Sequence, residues 1–191
     1  KSVQISGVSY RNIGAAGLDF LQQWREEGGS VGVPTTLNPT AMDMQVWQAQ
    51  GFDPSFAEKQ RAVVEAFAQM GVGRGAPIPT CTPYLIGNRP SPGDHVAWAE
   101  SSAVSFANSV LGARTNREGG PGAVAAALTG RTGAYGMHLD ANRTPTLQVQ
   151  VEVQLGAPAD YSALGAIVGR EAGNVSGSPV PRFVGLDLDR R

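Results

Sequence analysis

One cysteine stands between two threonines and two prolines in Pro79-Thr80-Cys81-Thr82-Pro83-Tyr84. Proline at both flanks excludes a helix and holds the segment in one shape. Two readings of Cys81 stay open: a packing cysteine in the core, or a thiolate that ligates a metal or acts as a nucleophile. A second polar group is Glu100-Ser101-Ser102, set inside the apolar run from Trp98 to Val104 and followed by Arg114-Thr115-Asn116-Arg117-Glu118-Gly119-Gly120. Polar groups in an apolar helix must find partners, because an unpaired buried one costs on the order of 1 to 3 kcal/mol. The Arg114 and Arg117 guanidinium forks suit bidentate capture of a carboxylate or phosphate; the alternative is a plain surface loop. A third group, Pro34-Thr35-Thr36-Leu37-Asn38-Pro39, falls at the carboxyl end of an expected strand, where α/β sheets place ligands, and is equally compatible with turn chemistry. His95 and His138 read as isolated capping or packing residues.

The elements that must position these groups follow from periodicity and punctuation. Residues 14–27 read as a helix with Leu18, Leu21 and Trp24 on one face, stopped by Gly28 and Gly29, and residues 30–37 as a short buried strand. Asp53 as N-cap and Pro54 at the first helical position start a helix whose apolar face runs from Phe56 to Met70. Residues 94–111 are expected to form one buried helix and residues 122–128 a shorter one. Residues 146–155 alternate strictly between apolar and polar, predicting a strand with one wet face at a sheet edge or in an antiparallel pair. A helix over 159–170, a glycine and serine loop over 173–178 and a strand over 180–186 complete the chain. This alternation of helix and strand, with 25 glycines and 13 prolines in 191 residues, points to an α/β protein.

With 15 basic and 16 acidic residues and no basic cluster, the chain lacks the electrostatic footprint of a nucleic-acid or anionic-membrane binder. A small-molecule partner is expected instead. No apolar run approaches the roughly 20 residues that span a bilayer, and no secretory pattern opens the chain. A single cysteine excludes an internal disulfide framework, so a reduced, cytoplasmic setting is expected.

Five strings together carry a resemblance: Tyr10-Arg11-Asn12-Ile13-Gly14, Val33 to Pro39, Thr80 to Tyr84, Ala97 to Val104 and Ala107 to Arg117. In order and spacing, over essentially the whole chain, they resemble the aconitase X family. The resemblance implies a metal-dependent hydro-lyase that eliminates water from a small hydroxy acid. It implies an aconitase-like three-layer α/β/α body with a mixed sheet. Residues 1–191 would form part of its catalytic domain, with a possible internal boundary near 172–179. The swivelling small domain or subunit of the same enzyme is not in this chain. By the same resemblance Cys81 is a metal ligand for iron or an iron-sulfur cluster. Thr35, Thr36, Asn38, Thr80, Thr82, Ser101, Ser102, Arg114, Thr115, Asn116 and Arg117 contact substrate, and Glu100 does acid-base work or orients an arginine. A cluster needs several thiolates, so its further ligands are expected outside this chain, as is the proton-abstracting base, a serine on the swivelling domain. Near-neutral charge and only two lysines give no sign of a hyperthermophile. That places cis-3-hydroxy-L-proline first as substrate, with mevalonate 5-phosphate as the alternative. A third reading is an inactive structural or assembly piece that contributes one wall of such a site.

Overall fold

The computed structural model describes residues 1–175 and 179–186, which divide into two compact units, Lys1–His138 and Leu139–Arg191. Three short strands organise the first unit: β1 (Val3–Ile5), β2 (Thr35–Leu37) and β3 (Ala97–Trp98), in the order β2-β1-β3. Both pairings are parallel. Residues 114–117 run parallel along the far side of β3 through bridges His95 to Arg114 and Trp98 to Arg117, and extend the sheet by one more rung. Parallel neighbours require crossover connections. Helices α1 (Tyr10–Glu26), α2 (Pro54–Gln69) and α3 (Ser101–Ser109) lie in those connections, and α4 (Gly120–Thr129) follows the last rung.

Side chains alternate across a strand, and this sorts the layers. Val3 and Ile5 join Leu37, Ala97 and Ala99 in one core with Leu21 of α1, Val63 and Phe67 of α2, and Ala123 and Ala127 of α4. On the other face Trp98 packs with Ala103 and Ala107 of α3 and against the Tyr84 ring. The expected α/β/α layering is therefore present in the first unit, and every strand pairing among the described residues is parallel.

Helix α2 forms as its sequence indicates: the Asp53 carboxylate accepts from the Ser55 and Phe56 N–H groups, Pro54 opens the first turn, and the helix yields to Gly71 at φ 91°. Helix α1 starts at Tyr10 behind an N-cap at Ser9 and is interrupted at Gly14 (φ 62°, ψ −165°), so the predicted span from residue 14 corresponds to its second piece. The single helix expected over 94–111 is corrected. Residues Ala97–Trp98 are a strand, and α3 begins only at Ser101. An apolar run of four residues, Val96 to Ala99, is read equally well as buried helix or buried strand by period alone, and here the sheet claims it. The strand over 30–37 shrinks to Thr35–Leu37.

The second unit consists of β4 (Leu147–Gln150), α5 (Pro158–Gly173) and β5 (Pro181–Val184), with β4 and β5 paired in parallel. The wet face foreseen for residues 146–155 is present, with Leu147 and Val149 half-buried and Gln148 and Gln150 exposed, but the strand is shorter and its partner parallel. Asp160 fastens the start of α5 by accepting from the Gly156 and Ala157 N–H groups. Segment 172–179 falls within this unit, and its residues 176–178, like the end of the loop expected over 173–178, lie outside the described ones. So does residue 187 onward. No helix among the described residues is long and apolar enough to cross a membrane.

Between α1 and α2, Gln60 is fully buried; its Oε1 accepts from the Tyr10 N–H at 2.9 Å and its Nε2 donates to the Val8 carbonyl at 2.8 Å. Gln60→Leu leaves both backbone groups unpaired in the core and is expected to lower stability by roughly 2 to 4 kcal/mol, read from urea or thermal unfolding. A loss below about half a kcal/mol would show that neither bond matters.

Candidate functional site

At the carboxyl edge of the sheet the chain leaves β1 at Ser6, β2 at Asn38 and β3 at Ala99. With Glu100, Ser101, Arg117, Glu118 and Gly119 these residues line a cleft of about 360 Å³. Since β2 and β3 flank β1 on opposite sides, the connections after them diverge and leave a crevice at the strand ends, the usual ligand position in such sheets. Helices α3 and α4 both begin at this edge, where a helix start offers unpaired N–H groups and partial positive charge. A Cβ added to Gly120 would stand 2.8 Å from the Ser6 carbonyl oxygen, so the start of α4 rests directly on the turn after β1.

Glu100 is the N-cap of α3. Its carboxylate accepts from the Ala103 N–H at 2.9 Å, from the Ser101 hydroxyl at 3.2 Å and, at short range, from the Ser102 hydroxyl. Burial pushes its carboxyl up, but the bonds from Ser102, Ala103 and Ser101 outweigh that and hold the pKa below the usual carboxylate range. Ser101 and Ser102 thus give their hydroxyl protons to the cap.

Thr80 and Thr82 bracket Cys81. The Thr80 Oγ1 accepts from the Thr82 N–H at 3.1 Å and lies 3.1 Å from the Thr82 hydroxyl, closing a tight turn with Cys81, exposed, at its apex. The turn is fastened to the sheet by the Thr80 N–H on the Leu37 carbonyl at 2.9 Å. Gln4, fully buried on β1, donates from Nε2 to the Thr80 carbonyl at 3.0 Å and accepts at Oε1 from the Glu100 N–H at 3.1 Å. One side chain therefore connects the Cys81 turn to the start of α3. Cys81 adjoins the cleft through these bonds without lining it.

The other residues singled out in the sequence separate. Thr35 donates to the Val33 carbonyl at 2.8 Å; Thr36 is buried, donates to the Val3 carbonyl and accepts from Asn88. Both threonines border a different depression, with Gly71, Arg74 and Asn88. Thr115 is fully buried, its hydroxyl accepting from the Trp98 N–H and donating to the Asn116 carbonyl. Asn116 holds the 135–137 turn through the Tyr135 carbonyl and the Met137 N–H. Arg114 donates to the His138 carbonyl at 3.1 Å, beside a contact of 2.9 Å between the Nδ1 atoms of His95 and His138, so the two histidines that look isolated in sequence meet.

Asn38, Glu100, Ser101 and Arg117 are the singled-out residues that come together in the cleft. The Asn38 Oδ1 is buried there with no hydrogen-bond partner among the described residues. Ser6, Gln4 and Asn88 were not foreseen, and Glu118 and Gly119 were noted in the sequence without a role. Glu118 and Gly119 adjoin the arginine string and were within reach of the sequence; Ser6 and Gln4 belong to a three-residue strand that periodicity over longer windows does not resolve. The described residues bring together no three His, Cys, Asp or Glu side chains capable of holding a metal ion. As a thiolate donor the chain offers one side chain, Cys81, where an iron-sulfur cluster needs several.

The lowered Glu100 pKa has a sign. The bonded carboxylate contributes stability above the unfolded carboxyl pKa, and this is lost as pH falls through the lower folded value. The melting-temperature difference between the native chain and Glu100→Gln is expected to be constant near neutrality and to vanish in acid. A difference that persists undiminished at the lowest pH at which the protein folds would deny the charged cap.

Comparison with known proteins places this architecture. Residues 1–141 match the family model described as the aconitase X first domain. The chain is 56% identical over 184 residues to the phosphomevalonate dehydratase large subunit of Methanothermobacter thermautotrophicus, covering 96% of this chain and 45% of that protein. It is 40% identical over 188 residues to the cis-3-hydroxy-L-proline dehydratase of Hypocrea jecorina, covering 98% of this chain and 30% of that one. Its fold matches the crystal structure of Thermococcus kodakaraensis aconitase X in the holo-form with a TM-score of 0.76 at 49% identity, covering 98% of this chain and 44% of that chain. The chain thus spans less than half the length of these relatives. A family match over 141 of 191 residues, at the sheet and cleft just described, leaves one conclusion: this chain belongs to the aconitase X family.

Proposed function

We propose that the chain is the cleft-bearing first part of a phosphomevalonate dehydratase large subunit, a hydro-lyase that eliminates water from mevalonate 5-phosphate. The observation that carries this reading is the gap in identity, 56% to an archaeal large subunit against 40% to a hydroxyproline dehydratase over nearly the same span. It reverses the order that composition suggests. Lysine count and net charge describe the whole surface and its environment, and carry nothing about the few groups that choose a substrate.

The cleft supports an anionic, hydroxylated ligand. The Arg117 guanidinium, exposed and free of hydrogen bonds or ion pairs among the described residues, suits a phosphate or carboxylate. The start of α4, which no side chain caps, adds N–H groups of the same polarity, whereas the start of α3 is taken by the Glu100 carboxylate. The unpartnered Asn38 Oδ1 accepts from a substrate hydroxyl in this reading. Dehydration breaks a C–H bond beside a carboxylate and a C–O bond one carbon away, forms the alkene and releases water. In this division of labour the residues here bind and orient the substrate, and the base lies outside the chain. Iron would lend Lewis acidity; Cys81 is proposed as one thiolate ligand, with the others supplied from outside these residues. The relative's designation as a large subunit supports a second subunit as partner.

The complete enzyme should turn over mevalonate 5-phosphate and leave cis-3-hydroxy-L-proline unchanged; the opposite preference would overturn the reading. Arg117→Ala is expected to raise KM for the phosphorylated substrate by about ten- to a hundredfold, Arg117→Lys to restore little of it, and the melting temperature to hold. Arg114→Ala, by its bond to the His138 carbonyl, should act on stability first. Cys81→Ser should lower iron content with the fold intact, and full iron in that variant would remove Cys81 from the centre.

A further inference from the structure

We propose that Gln4 is a positioning residue that fixes the spacing between the Cys81 turn and the start of α3; the inference rests on the reading that these two elements flank the active cleft. The bonds span 76 and 96 residues of sequence and converge on one fully buried side chain on the strand that has neighbours on both sides. The Thr80 carbonyl needs a donor and the Glu100 N–H needs an acceptor, and both must be met in one buried spot. A primary amide carries both on adjacent atoms. A carboxylate offers acceptors only, an ammonium donors only, and an aliphatic side chain neither.

The surroundings restrict the amide to this bridge. Along the sheet Gln4 stands in register with Thr36 on one side and Trp98 on the other. Thr36 is held by Asn88, whose amide also donates to the Val3 carbonyl. Trp98 is fixed by its Nε1 donating to the Ser2 hydroxyl and by stacking against Tyr84, which in turn stacks on Phe106 with ring centroids 3.9 Å apart. Tyr84 lies in the turn that follows Cys81, so the same packed face holds both sides of that loop. Gln4 itself does not line the cleft; it acts through Thr80 and through Glu100, which does.

Gln4→Glu and Gln4→Met separate the two arms. Glutamate is isosteric: ionised, in exchange measured at alkaline pH, it retains an acceptor for the Glu100 N–H and sets an oxygen against the Thr80 carbonyl, whereas its neutral form keeps both bonds; methionine fills similar space and abolishes both bonds. In the complete enzyme, hydrogen exchange read by peptide mass spectrometry should accelerate about tenfold or more across 78–84 in both variants. Across 99–103 it should accelerate in the methionine variant alone. Turnover should fall about tenfold in kcat while KM stays within about twofold, because misplacement by a fraction of an ångström weakens the reacting geometry more than binding. Gln60→Leu is the matched control: an equally buried glutamine outside this face, expected to lower the melting temperature without moving either readout. Exchange at 78–84 and kcat indistinguishable from the Gln60→Leu control at equal stability loss would overturn the role. The exchange arm involves no substrate, so a mistaken choice of substrate leaves it readable and is detected separately by the failure to dehydrate mevalonate 5-phosphate.

Discussion

A strand of three residues carries the first unit, and the constraint on it is severe. Its ladder is short, with the Val3 N–H on the Pro34 carbonyl, the Ala97 N–H on the Ser2 carbonyl and the Asn38 N–H on the Ile5 carbonyl among its bonds. So short a sheet cannot rely on backbone pairing, and side chains complete it: Asn88 on the Val3 carbonyl, Thr115 on the Trp98 N–H, Ser2 on the Trp98 indole. A buried polar group is costly unless it finds a partner, and a satisfied set rigidifies what it connects. The polar residues of this face are therefore part of how the sheet holds together.

That explains what the sequence could and could not reveal. The cap and proline that start α2 act locally, within three residues, and were legible. The alanine-rich α4 was legible too, although it begins two residues earlier than expected, at a run of glycine and proline. The strands Val3–Ile5 and Ala97–Trp98 were not, because two or three residues give no period to count, and only pairing across some 30 and 90 positions makes them strands. The same ambiguity merged β3 and α3 into one expected helix, although Glu100 with Ser101 and Ser102 carries a capping arrangement in plain view.

The candidate site was legible in composition more than in role. The three polar strings all adjoin the sheet without forming one site: Thr36 and Thr115 are consumed in completing it, while Asn38 and Arg117 line the cleft. Residue type cannot distinguish a hydroxyl used by the fold from one left for a ligand; the distinction lies in partners supplied from distant parts of the chain. Arg114 and Arg117 illustrate this: three positions apart and chemically identical, one is tied to a backbone carbonyl and the other borders open space.

The wall of the cleft is not equally open to change along its length. Where α4 meets the turn after β1, a single methyl group at Gly120 would collide with the Ser6 backbone oxygen, and backbone on both sides leaves no flexible atom to yield. A side chain at this position therefore has no room without a shift of backbone. In the proposed reading a change of ligand falls to side chains that line the cleft, Asn38, Ser101 and Arg117 among them, and a library that varies those while leaving Gly120 untouched keeps the wall intact.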